Sequence, residues 1–357
     1  ALGAFLAEMP LGGDLHHHLG GAPTPATMIR LGAEGGVCLP VDPAESWIAR
    51  PPPGDEDVRP ITDAGEEAGF RREIERRWSM LDYAANDPAI DRTEANAHFF
   101  SIFGKTGATK RDFGRLLAAV RTAAAGQGTL YLETSTGYPG SGVLERWADM
   151  TWNDDLALMR RELLADPEWL AVRDSIVEGL AVGKWRSEDL LGCSGAAPAP
   201  GCDVEVRFQR IGIRTRQPIQ VFLEVVMGFE VAQASPLVVG LNLVAPETDA
   251  VALRDYALHM RMFGEMSAFY PGVPVALHAG EMPDAQAVEL DAQDHLPLAI
   301  GDPQAGGAGA RRVGHGVALD AAIGRAALLE QMKREGIAVE LNLRSNALLL
   351  GVTGASH

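Results

Sequence analysis

Val273-Pro274-Val275-Ala276-Leu277-His278-Ala279-Gly280-Glu281 packs a short apolar run, a histidine, a glycine and an acid into one segment. A short apolar run bounded by Pro and Gly reads as a buried strand of a parallel sheet. His278 would end that strand, and Gly280 permits a sharp turn that brings the Glu281 carboxylate back over whatever His278 binds. At the C-terminal end of a barrel strand, polar residues serve an active site more often than stability. The plainer alternative, a His and a Glu that merely cap the next helix, stays open on this segment alone.

The pattern repeats outward. β-rich runs fall near 13–19, 129–135, 204–211, 238–244, 311–317 and 338–343, and from 129 onward they alternate with helical stretches. That alternation predicts a parallel sheet with helices outside it. Ala322, Ala326, Leu329 and Met332 define one helical face, closed by Gly336 as a C′ residue. Residues 109–125 and 249–267 read as helices in the same way. Residues 25–128 form a long insertion between the first and second strands, with a Pro- and Gly-rich loop around 51–69 and a helical segment from Phe70 to Tyr83. Such an insertion is expected to cover one face of a barrel.

The 357 residues suffice for a TIM barrel of roughly 250 residues plus insertions, or for two ordinary domains. The strand pattern favours a single (β/α)8-barrel domain over residues 1–357. Seven strands are legible, and a barrel of eight needs one more to avoid an open edge. The sequence ends at Gly354-Ala355-Ser356-His357. A C-terminal segment carrying the eighth strand is therefore expected to be absent; an open seven-stranded sheet is the alternative.

Two further segments carry histidines. In Asp14-Leu15-His16-His17-His18-Leu19, strand alternation points His16 and His18 to one face and His17 to the other, so two imidazoles converge on a single metal. A tag fragment is the dull alternative, but the run sits in apolar strand sequence and stops at three histidines. In Arg312-Val313-Gly314-His315-Gly316, flanking glycines allow close approach of backbone and imidazole to a ligand; a buried structural histidine competes. In the last strand Glu340 and Asn342 share a face, opposite Val339, Leu341 and Leu343. With Ser345 and Asn346 they suit polar support around a metal site, and Glu340 and Ser345 are the candidates for that role.

Composition narrows the field. The net charge of −17 argues against a nucleic-acid partner, which needs clustered Lys and Arg. The longest apolar run, around Pro236 to Pro246, falls short of the roughly 18 residues that span a bilayer. Gly104-Lys105-Thr106 is not a phosphate loop, since position 99 is Phe where a Gly is needed. Zinc deaminases of the His-X-Glu and Pro-Cys-X-X-Cys type are excluded because neither motif occurs. Cys193 and Cys202 bracket a loop rich in Ala, Pro and Gly; a disulfide and two unpaired thiols are both open, and a disulfide would lean towards an exported protein.

Taken together, His16-X-His18, His278-Ala279-Gly280-Glu281, Gly314-His315-Gly316 and Ser345-Asn346 resemble the adenosine deaminase family, in that order over most of the chain. Met9-Pro10-Leu11-Gly12-Gly13, Phe99-Phe100-Ser101-Ile102-Phe103-Gly104 and Val238-Val239-Gly240-Leu241-Asn242-Leu243 look closest to the secreted, growth-factor-like branch and its bacterial relatives. The resemblance implies one catalytic Zn2+ per chain held by His16, His18 and His278, with an Asp of the eighth strand as a further ligand. It implies Glu281 as proton donor to the purine ring nitrogen beside the amine-bearing carbon, and His315 as the residue that orients or deprotonates the attacking water. The expected reaction is deamination of adenosine or a close aminopurine nucleoside to its 6-oxo product and ammonia, and a homodimer built through the N-terminal region is expected of the branch.

The sequence departs from the family pattern where nucleoside is met. Gly20-Gly21 follows the first histidines where many members carry an Asp that meets the sugar. The glycine that faces the purine appears as Ala245, a candidate substrate contact, and an Asp of the pattern is Asn242. The alternatives are a deaminase of another aminated heterocycle or modified nucleoside, and a non-catalytic relative acting as a binding or signalling protein.

Overall fold

The computed structural model describes residues 12–40, 47–49, 58–84, 87, 89–137 and 141–354, together with 3, 5, 8 and 9. It is an α/β fold with a parallel-strand half-barrel, and the chain divides into two compact units. One comprises residues 1–134 and 182–206, the other 135–181 and 207–357. Strands are β1 (Gly12–His18), β2 (Cys38–Pro40), β3 (Val58–Pro60), β4 (Thr129–Thr136), β5 (Glu205–Ile213), β6 (Val238–Val244), β7 (Ala276–Ala279), β8 (Arg312–His315) and β9 (Ala338–Glu340). Among the described residues no helix is long and apolar enough to cross a membrane.

In the first unit β1 lies beside β4. The insertion builds a core of its own from Met28, Ile29, Val37, Leu39, Ile61, Ile74 and Trp78. Helix α1 (Pro25–Glu34) starts where Thr24 caps Thr27 N–H and Pro25 supplies a ready helical φ. β2 and β3 pair antiparallel, Cys38 opposite Pro60, so part of the loop expected at 51–69 is strand, and residues 61–65 form a 3-10 turn. Residues 51–57 of that loop lie outside the described residues. The helix expected from Phe70 to Tyr83 is α2 (Ala68–Arg77), which ends where Trp78 turns inward to donate to the Trp47 carbonyl. Helix α3 spans Arg92–Lys105, and the helix expected at 109–125 is α4 (Phe113–Gly126), delayed because Asp112 caps its first turn. Cys193 and Cys202 are disulfide-bonded. The buried Arg121 of α4 donates to the carbonyls of Gly201 and Cys202 and to Ser187 Oγ.

In the second unit β5 pairs parallel with β6, Leu241 of β6 bridges in parallel to Val275, and β7, β8 and β9 pair parallel in turn. These strands form the half-barrel, and every one of them falls within or beside a strand expected from the sequence. Helix α5 (Leu156–Ala165) precedes α6 (Pro167–Leu190), a helix that belongs in part to each unit. Helix α7 (Pro218–Ala234) is buried continuously from Val221 to Val231. The helix expected at 249–267 is broken at Asp255 into α8 (Ala250–Arg254) and α9 (Tyr256–Phe269), and α9 packs on α7.

Two expectations need correction. Alternation in the last strand stops at Glu340, because the chain after Asn342 winds into a helical turn, Leu343–Ser345, that continues as a π-helix over Asn346–Leu350. The sided pattern of Asn342 and Leu343 therefore does not extend the strand. In Arg325–Glu335 the buried residues are Leu328 and Met332, not Ala326 and Leu329, while Gly336 closes the helix with φ 67° as expected.

Phe229 of α7 is fully buried and stacks on Tyr270, ring centroids 5.3 Å apart. Phe229→Ala is expected to destabilise the fold by about 3–5 kcal/mol, read as a lower denaturant midpoint; an unchanged midpoint would contradict this packing.

Candidate functional site

Alternation along β1 sets the first histidines. His16 and His18 share a face with ring centroids 5.3 Å apart. His17 points the other way, with Nδ1 2.7 Å from Thr134 Oγ1 of β4. Burial lowers the His17 pKa to about 4, with Asp14 opposing and His16 reinforcing, so His17 is neutral at physiological pH and serves the sheet. That division of the three histidines is the one alternation predicts.

The second unit brings His278, Glu281 and His315 together. In the β7–β8 register Ala279 stands opposite His315 and His278 opposite Gly314. The His278 and His315 rings lie 5.3 Å apart, and they offer ring nitrogens within 4.8 Å of each other. Gly280 takes φ 64°, the turn expected of it. The turn delivers Glu281 Oε1 to 3.3 Å from His315 Nε2, with both side chains largely buried. His315 itself has φ 69°, a conformation that costs a non-glycine residue of order 1 kcal/mol or more. Ala245, just past β6, has φ 84°, so alanine holds a backbone conformation that favours glycine.

Each buried imidazole is tied from behind by an amide. Asn242 Oδ1 accepts from the Leu243 N–H at 2.8 Å and the His278 N–H at 3.1 Å, and it lies 2.9 Å from His278 Nδ1. Two backbone donors identify that atom as the oxygen, so His278 carries its proton on Nδ1 and presents the Nε2 lone pair. Asn242 Nδ2 in turn donates to Gln209 Oε1 at 3.0 Å, which also accepts from Ser135 Oγ at 2.9 Å. Asn346 Oδ1 lies 2.8 Å from His315 Nδ1. With Nδ1 set against that oxygen, Nε2 faces Glu281. This arrangement can pass a proton to a bound base and take one from water.

The remaining sequence candidates fall around this centre. Glu340 stands opposite Gly314 in register and pairs with Arg312 Nε at 2.9 Å. Ser345 ends the helical turn before Asn346 and is half-buried, and it is Asn346 that reaches His315. The sequence treated Asn242 only as a departure from a pattern and passed over Gln209, Ser135, Arg214, Glu247 and His295. Glu247 carried the one usable signal, an acid just past the end of a parallel strand.

No known family matches the chain in a scan of protein families, and no curated protein matches it. Solved structures do. The crystal structure of an adenine deaminase from Arthrobacter aurescens superposes with a TM-score of 0.53 at 16% identity, over 96% of this chain and 74% of that one. An N6-methyl-AMP deaminase from Arabidopsis superposes at 0.50 and 15% identity, over 97% and 75%. The chain shares their fold. At such identity the likeness concerns architecture, and the chemistry has to be argued from the residues above.

Imidazole nitrogens suit zinc, and outer hydrogen bonds to metal-binding histidines commonly matter 10–100-fold. Asn242→Ala is expected to weaken binding of a divalent metal ion by roughly 10–100-fold, measured by competition with a chromophoric chelator; unchanged affinity would contradict the role of the amide in presenting His278 Nε2.

Proposed function

We propose that the chain is a zinc-dependent deaminase of 6-aminopurines on a (β/α)8-barrel framework, adenosine deaminase-like in the broad sense. The observation that carries this reading is the Glu281–His315 pair beside His278, whose Nδ1 is committed to Asn242. The donors fit zinc: His278 is left with Nε2 as its ligating atom, and His16 and His18 offer a second imidazole pair on one strand face. His16, His18 and His278 would hold the ion. When bound, the metal supplies Lewis acidity that makes hydroxide available near neutral pH.

The chain's own residues handle the protons and the substrate. Glu281, in its carboxyl form, protonates the purine ring nitrogen next to the amine-bearing carbon, which makes that carbon electrophilic. His315 Nε2 accepts a proton from the attacking water and, once charged, stabilises the negative charge that develops. Both side chains are nearly buried, which strengthens these interactions by excluding water. The proton taken up by His315 passes to the departing amine, the added hydroxyl gives its proton back to Glu281, and ammonia leaves the 6-oxopurine. Ala245 borders the purine in this reading, and Glu340 pairs with Arg312 Nε at 2.9 Å.

Adenosine is the substrate the motif resemblance favours. The structural neighbours act, by name, on adenine and on N6-methyl-AMP, which supports an aminopurine in general and widens the class to base and nucleotide. The growth-factor-like branch rests on sequence cues alone. The test is ammonia release by zinc-loaded protein from adenine, adenosine, AMP and N6-methyl-AMP at fixed enzyme concentration. Turnover of at least one of them is expected, and silence on all four would overturn the reading. Glu281→Gln is expected to abolish turnover while zinc content stays unchanged; retained turnover would remove Glu281 from the role of proton donor.

A further inference from the structure

Glu247 lies in the loop after β6 and is 1% exposed, yet both of its oxygens are engaged. Oε1 accepts the Gly280 N–H at 3.1 Å and lies 2.6 Å from His295 Nδ1. Oε2 accepts the Glu281 N–H at 2.8 Å, and the fully buried Arg214 stands 3.6 Å away. Arg214 Nη2 donates to the carbonyls of Leu243 and His278, both at 2.9 Å, so it grips the ends of β6 and β7 together. His295 is held by its stack on Tyr256, centroids 3.5 Å apart, whose hydroxyl donates to the His295 carbonyl. Burial alone would raise the Glu247 pKa, but the His295 bond and Arg214 outweigh it and hold the carboxyl below its ordinary value.

The carbonyl side of the same turn is pinned independently. Gly316 N–H donates to Ala279 O and Ala318 N–H to Gly280 O, each at 3.1 Å. Among the described residues the two amides on the other side donate to Glu247. A glycine turn is permissive, so the direction of Glu281 depends on what anchors its backbone.

We propose that Glu247 is a positioning residue: its carboxylate clamps the Gly280 and Glu281 amides and thereby aims the Glu281 carboxyl at His315. The consequence for catalysis rests on the proposed role of Glu281, whereas the clamp itself does not. A carboxylate is required because both oxygens face N–H donors. An amide of the same size would turn an NH2 group against one of them, which opposes donor to donor.

The test is Glu247→Gln in the zinc-loaded protein, read two ways. Amide hydrogen exchange needs no substrate: Gly280 and Glu281 should exchange at least about tenfold faster while Ala276 and Leu277 of β7 keep their protection. On an aminopurine that the wild type turns over, kcat should fall at least about tenfold with KM within about twofold and zinc content unchanged. If the Gln variant does not fold, Glu247→Asp, which keeps the charge and both oxygens on a shorter stem, should show the same selective exchange with a smaller loss of kcat. Unchanged exchange at the two turn amides, or equal loss along all of β7, overturns the clamp. Selective exchange with wild-type kcat overturns the positioning role. A wild type that releases no ammonia removes the deaminase reading instead, and the exchange result still decides the clamp.

Discussion

One amide oxygen organises how the second unit holds His278. Asn242 Oδ1 takes three contacts, from the Leu243 N–H, the His278 N–H and His278 Nδ1. The first two fix its identity and the third fixes the tautomer of His278. A buried histidine without such a partner could ligate through either nitrogen or turn away. With it, the ring has one orientation and its Nδ1 is committed to the amide. Gln209 and Ser135 extend the support backwards through β5 and the end of β4, so the imidazole is held by a chain of neutral groups. An amide also stands behind His315, where Asn346 Oδ1 lies 2.8 Å from Nδ1.

The charge in the site is concentrated elsewhere. Glu281 and His315 face each other at 3.3 Å, and Glu247 with Arg214 and His295 forms a buried polar group behind the turn. A buried acid of this kind is costly unless its oxygens are fully used. Here two backbone amides and two cationic or polar side chains use them. The ends of β6 and β7 thus carry two distinct jobs, presentation of a ligand nitrogen by an amide and fixation of a turn by a carboxylate. Backbone strain occurs nearby, at Ala245 after β6 and at His315 at the end of β8.

Much of the fold was legible because the parallel strands are short apolar runs with chemistry at their ends, and periodicity alone separates His16 and His18 from His17. A helix end was legible where a capping residue agrees with pattern, as at Gly336. What failed did so for local reasons. Leu341 and Leu343 look like strand, but Asn342 starts a helical turn and breaks the alternation. The Ala326 and Leu329 stripe is exposed or half-exposed because the helix is rotated to bury Leu328 and Met332. Glu247, Arg214 and His295 are far apart in sequence and ordinary in type, and their function exists only through contacts that periodicity does not encode. Asn242 looked like the loss of an acid, whereas the structure shows an amide whose two ends are both needed.

The central claim is hydrolysis at the amine-bearing carbon, and oxygen transfer from solvent reports on it most directly. Zinc-loaded protein should convert an aminopurine in 18O-labelled water to a 6-oxopurine with one labelled oxygen, releasing one ammonia per product, followed by mass spectrometry. Absence of label in the product, or label without stoichiometric ammonia, would contradict the account.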